Sequence, residues 1–137
     1  MVFRPSAAWR CFLVHSILIV EDDIEQLDAL REVLEVTGYS TRCAQNGKEA
    51  LDLLRRPPQP ALILLDLNLP VMNGWQFLVE KRNDPALVKV PVVVMSGANT
   101  GRPQGTVAFL MKPISPSALL RVITYPTLQG SCIHQRA

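Results

Sequence analysis

The plan of this chain is set by short apolar runs that alternate with amphipathic stretches. Residues 16–20, 61–65, 92–95 and 107–111 are apolar runs bounded by turn formers, the pattern of strands buried on both faces of a parallel sheet. Residues 40–44 read as a short, more polar second strand, and 11–14 offer an earlier start to the first. Leu27, Leu30, Val33 and Leu34 keep helical spacing from Ile24 to Thr37, where Gly38 supplies the stop. Ala50, Leu51, Leu53 and Leu54 make a second amphipathic helix, ended by Pro57-Pro58. Trp75, Phe77 and Leu78, with Glu80, Lys81 and Arg82 beyond them, fit a third that stops before Asp84-Pro85. Ser115 and Pro116 open a last helix with Ala118, Leu119, Val122 and Ile123 on its apolar side, and Pro126 is expected to end it. Residues 97–106 hold three glycines and a proline without apolar period, so a loop is expected where alternation would place a helix. Strands joined by connections too long for hairpins give an α/β fold, a doubly wound parallel sheet covered on both faces.

A length of 137 residues suits one domain, expected over 16–125 with an appendage at 1–15 and a tail at 126–137. Apolar residues are 48% and charged ones 19%, which excludes general disorder, and no apolar run approaches the roughly 18 residues of a membrane span. Residues 1–15 lack the features of an export signal. Cys11, Cys43 and Cys132 are odd in number and far apart, which fits free thiols in a cytoplasm rather than a disulfide framework or zinc site. The net charge of +2 hides an asymmetry: residues 21–35 carry seven acids against Arg31, whereas 85–137 carry five bases and no acid. An acidic concentration at one edge can serve a cation; the basic part suits an acidic partner or a solvated face. Neither nucleic acid nor membrane is indicated as a partner.

In this architecture the carboxyl ends of strands one, three, four and five carry Glu21-Asp22, Asp66, Ser96 and Lys112. Ligands of open α/β folds bind at that edge, where strand order reverses. Each residue has a plain alternative: a solvated acidic turn for Glu21 and Asp22, a turn start for Asp66, a turn residue for Ser96 and a solvated lysine for Lys112. Asp23, with Gln26 three residues on, is set aside as a helix cap in a capping-box arrangement. Together the residues say more. Carboxylates 4 Å apart repel by about 4 kcal/mol at an effective dielectric near 20, so they need a cation, and an all-oxygen set with open positions suits Mg²⁺. Lys112 can pair with an arriving anion and Ser96 can donate a hydrogen bond to it. Asp66 then fits the role of a nucleophile toward phosphorus.

Ile-Leu-Ile-Val-Glu-Asp-Asp at 17–23, Leu-Leu-Asp-Leu-Asn-Leu-Pro at 64–70 with Met72 and Gly74, Val-Met-Ser-Gly at 94–97 and Phe-Leu-Met-Lys-Pro at 109–113, in this order, resemble the response-regulator receiver domains of two-component signalling. The resemblance implies a flavodoxin-like sheet of order 2-1-3-4-5. It also implies a phosphoryl group accepted on Asp66 from a histidine kinase or histidine phosphotransfer protein. Mg²⁺ would be held by Glu21, Asp22, Asp66 and the backbone carbonyl of Asn68, with Ser96 as switch hydroxyl and Lys112 binding the phosphoryl oxygens. A cis peptide before Pro113 is implied, and Phe109 is either the aromatic that reports the state or an ordinary core residue. Such a domain is no enzyme beyond its own phosphorylation and dephosphorylation, and it signals through an output partner protein.

Two departures from the family pattern stand out. Only 15 residues separate Ser96 from Lys112, so the fourth helix, part of the family's usual output face, is shortened or missing. The dozen residues after Tyr125 are too few for an effector domain. A receiver-like interaction module that no longer switches is therefore an alternative. An aspartyl-phosphate phosphatase of the haloacid-dehalogenase type ranks below it, because position 68 is Asn and the second acid of an Asp-x-Asp pair is absent.

Overall fold

The computed structural model describes residues 16–127, with side chains through Thr124. Along the chain run β1 (Ser16–Val20), α1 (Ile24–Val36), β2 (Ser40–Ala44), α2 (Gly47–Leu54), β3 (Leu62–Asp66), α3 (Gly74–Arg82), β4 (Val92–Ser96), β5 (Ala108–Met111) and α4 (Pro116–Thr127). The strands form one parallel sheet in the order β2-β1-β3-β4-β5. Ile17, Ile19, Leu62, Leu64, Val93, Met95 and Leu110 pack under α1 and α4, while Leu18, Val20, Ile63, Leu65, Val92 and Val94 pack under α2 and α3. Successive strand residues feed opposite faces, and every residue of β3 and β4 is buried. That double burial is why these strands read as unbroken apolar runs.

The expected elements are all found, with ends moved by one or two residues. β3 runs from Leu62 through Asp66 rather than over 61–65, and β4 reaches Ser96. β5 starts at Ala108, not Val107; α1 stops at Val36 with Thr37 as its cap; α3 takes in Gly74. The last helix passes through Pro126 to Thr127, since a proline that loses one i→i−4 bond in the final turn does not forbid that turn. The early start at 11–14 lies outside the described residues.

Residues 97–106 form no helix. The segment connects the carboxyl end of β4 to the start of a parallel neighbour, and within it only Pro103 and Thr106 are buried. Thr106 Oγ1 donates to the Pro103 carbonyl at 2.6 Å, and the Arg102 guanidinium donates to the Thr106 carbonyl. The chain thus makes this crossover with a strap of bends and turns, in which Gly101 and Gly105 have positive φ. Beside it Val107 and Met111 are 47% exposed.

Candidate functional site

The strand ends converge at the carboxyl edge of β1, β3 and β4, where β1 has the reversal in strand order beside it. Glu21 leaves β1 with its amide still bonded to the Ala44 carbonyl at 3.0 Å, which keeps its side chain in the sheet's plane of burial; it is 1% exposed. Asp66 closes β3 and is 4% exposed, while Asp22 is exposed. The three carboxylates each offer an oxygen within 4.8 Å of the others, and the group could hold a metal ion. Lys112 Nζ lies 2.8 Å from Glu21 Oε1 and 3.2 Å from Asp66 Oδ2. Its position follows from the backbone: the Lys112 amide donates to the Ser96 carbonyl at 2.8 Å, and the peptide before Pro113 is cis, as the resemblance implies.

Burial pushes the Glu21 carboxyl up to about 7, against the hydrogen bond from Lys112 that lowers it and with the help of neighbouring Asp66. Burial also works to lower Lys112, yet its bond to Glu21 and the charges of Asp66 and Glu21 outweigh it and raise its pKa. Two buried acids against one ammonium leave the pocket short of positive charge, which is the electrostatic signature of a cation site.

Ser96 stands at the end of β4 and is 7% exposed; its hydroxyl accepts from the Ala98 amide at 3.1 Å. Asn68 is exposed, and its amide donates to Asp66 Oδ1 at 3.1 Å. Phe109 is half-buried against the α2–α3 side of the core. Asp23 is the N-cap of α1, accepting from the amides of Glu25 at 3.0 Å and Gln26 at 3.2 Å. The expected capping box is not reciprocal: the Asp23 amide donates to Glu21 Oε2 at 3.2 Å, and the Gln26 side chain donates to Asp23 Oδ2. The nearby buried carboxylate takes the donor that a box would have used. A complete box does occur at Asn73–Gln76, at the start of α3.

Three features of the loop after β3 go beyond the sequence reading. Gly74 approaches β3 so closely that a Cβ there would sit 2.7 Å from the Asp66 carbonyl oxygen and 2.7 Å from Leu67 Cα. Gly47, at the start of α2, meets the Met72 carbonyl in the same way, and its amide donates to that oxygen at 2.9 Å. Between them Val71 has φ of 65°, with the Met72 amide bonded to the Pro70 carbonyl at 2.7 Å. An i→i+2 bond closed over a positive φ is a strained γ-turn, costing about 1–3 kcal/mol for a β-branched residue. Nothing in the sequence around either glycine signals what it approaches.

A doubly wound sheet with an acidic pocket and a lysine at its switch-point edge defines the class of the protein. Residues 17–124 match the response regulator receiver domain, and the chain belongs to that family. It is 35% identical over 114 residues to the polar-differentiation response regulator DivK of Brucella anthropi, spanning 79% of this chain and 92% of that relative. Among solved structures it is similar to the receiver domain of a signal transduction histidine kinase from Syntrophus aciditrophicus, with a TM-score of 0.74 and 28% identity over 84% of this chain and 91% of that one. A CheY-like receiver domain protein from Methanospirillum hungatei JF-1 gives a TM-score of 0.74 and 26% identity over 85% and 96% of the two chains. No helix among the described residues is long and apolar enough to cross a membrane.

Proposed function

We propose that the chain is a phosphoacceptor, taking a phosphoryl group on Asp66 from a histidine kinase or histidine phosphotransfer protein and signalling through an output partner in the cytoplasm. The observation that carries this is the placement of Lys112 Nζ, 2.8 Å from Glu21 and 3.2 Å from Asp66, inside a cluster of three carboxylates. The donor set is all oxygen, with exposed Asp22 on its open side, and so fits Mg²⁺. Glu21, Asp22, Asp66 and the Asn68 carbonyl would hold the ion, which supplies charge neutralisation for the phosphoryl oxygens when bound. Asp66 attacks phosphorus through a carboxylate oxygen as the donor's P–N bond breaks, and the donor imidazole leaves with the bond's electron pair. Lys112 faces the phosphoryl oxygens as the fixed positive charge. Ser96, whose hydroxyl oxygen accepts from the Ala98 amide, keeps its own O–H to donate to a phosphoryl oxygen, which ties the start of the 97–106 strap to the phosphorylated state. The acyl phosphate carries about 1.5 to 2 negative charges beside Lys112 in place of the single charge of the Asp66 carboxylate.

The strap in place of a helix favours a second reading, a receiver fold that binds partners without switching. The phosphatase reading ranks below both, since Asn68 offers no second acid. Incubation with Mg²⁺ and acetyl phosphate separates the three. An adduct that is acid-stable, hydroxylamine-labile and absent from Asp66→Asn is expected of the phosphoacceptor. No adduct favours the inert module, and continuous turnover of unrelated phosphate esters favours the phosphatase.

A further inference from the structure

The two edges of the sheet differ in how they meet solvent. β2 ends the sheet on one side with Ser-Thr-Arg-Cys-Ala, and its polar side chains are tied down: Thr41 donates to Glu35 at 2.7 Å and Arg42 to the Pro58 carbonyl at 2.7 Å. A charge in an edge strand discourages pairing with another chain. β5 ends the sheet on the other side with Ala-Phe-Leu-Met, which holds no charge, proline or glycine. The Lys112 amide donates inward to the Ser96 carbonyl at 2.8 Å, while the Pro91 and Met95 carbonyls face β3, so strand alternation in this register turns the amides and carbonyls of Phe109 and Met111 outward. Val107 and Met111, at the two ends of that strip, are each 47% exposed, because the strap 97–106 covers less than a helix would. Among the described residues the edge is therefore bare, apolar and rich in unclaimed main-chain groups.

Charge decides what fits it. No acid occurs after Asp84, while Lys89, Arg102 and Arg121 are exposed bases. A second copy pairing through β5 would bring the same bases against themselves. Residues 1–15 and 128–137 also contain no acid, and they carry Arg4, Arg10 and Arg136. An acidic segment of another protein is the complementary occupant.

We infer that the free edge of β5 is a docking strip for an extended, apolar segment with acidic flanks from a partner protein, which joins the sheet as a sixth strand. This names the chemistry of the output partner and rests on the proposed signalling role only there. Binding is measured on the unphosphorylated full chain, so its failure leaves the chemistry of Asp66 untouched.

The probe is a short peptide of alternating valine and threonine with aspartates at both ends. Its controls are a lysine-ended twin and an aspartate-ended peptide N-methylated on alternate residues. The aspartate-ended peptide binds at least about tenfold more tightly than its twin, and N-methylation abolishes binding. Bound peptide slows hydrogen exchange at the Phe109 and Met111 amides. Val107→Asp and Met111→Asp each weaken binding about tenfold, an edge charge of the peptide's own sign opposing pairing, with the melting temperature held as the control for folding. Equal binding of the two twins, undiminished binding of the N-methylated peptide, or unchanged exchange at Phe109 and Met111 would overturn the inference. So would sedimentation showing that two copies of this chain occupy the strip, or binding that arises only after residues 1–15 or 128–137 are deleted.

Discussion

Gly74 shows how much a single missing methyl can decide at this site. A Cβ there would meet backbone atoms at 2.7 Å, and the backbone of Asp66 and Leu67 has no flexible end to yield. Gly74→Ala is expected to cost about 1–3 kcal/mol in urea unfolding, whereas Gly97→Ala, whose Cβ meets nothing within 4 Å, leaves the midpoint nearly unchanged. Lys81 is the opposite case, a side chain read from sequence as part of the polar end of α3 and found 4% exposed, with Nζ donating to the Val88 carbonyl at 3.1 Å. Burial lowers its pKa from the ordinary 10.5. Between that lowered value and 10.5 the unfolded chain binds more protons than the folded one, so the stability this group contributes rises with pH and is lost as pH falls through the lowered value. Lys81→Met removes the desolvated charge. Its melting temperature is expected to exceed the parent's by most at neutral pH, and the gap narrows as pH climbs toward 10.5.

At the scale of elements, legibility followed burial. β3 and β4 are buried on both faces and were readable as apolar runs, yet each ends one residue later than expected. Asp66 and Ser96 look like loop in sequence because their side chains are polar, but Asp66 still pairs with Met95 and Ser96 with Met111. A strand's end is set by main-chain pairing, which side-chain polarity does not report. The positive φ of Val71 was illegible for a related reason: a β-branched residue gives no hint of a turn that glycine or asparagine would announce. Helix caps were half legible. Asn73 and Gln76 have capping-box spacing and form one, whereas Asp23 and Gln26 have it too and do not, because Glu21 takes the Asp23 amide. Asn73→Ala is expected to cost about 1 kcal/mol of stability in chemical denaturation, and to loosen the loop that carries Asp66 into α3.

For the whole molecule, the order of apolar runs was enough to anticipate a doubly wound sheet, and the polar residues after the runs of β1, β3 and β5 were enough to anticipate that Glu21, Asp22, Asp66 and Lys112 would meet. What sequence could not give was how the charges balance. Lys112 is shared between Glu21 and Asp66, and without a cation burial holds the Glu21 carboxyl at about 7, above its ordinary 4.5. The folded chain binds the extra proton between those values, so this contribution to stability is present below 4.5 and is lost as pH rises through 7. Metal-free protein should thus melt at falling temperature across that window. Mg²⁺ should raise the melting temperature well above pH 7 and little below pH 4.5, since protons compete for the same oxygens; a pH-independent effect of Mg²⁺ would argue against Glu21 as part of the cation site.

The central claim is that Asp66, which shares Lys112 with Glu21, is the group that takes the phosphoryl. Borohydride reduction after treatment with Mg²⁺ and acetyl phosphate tests it most directly, because an aspartyl phosphate is converted to homoserine and can be placed by peptide mass mapping. The expected result is homoserine in place of Asp66 alone, and none when Lys112→Ala has removed the fixed charge or when Mg²⁺ is withheld. Conversion at Asp22 or Asp23, or no conversion in a folded chain, would contradict the account.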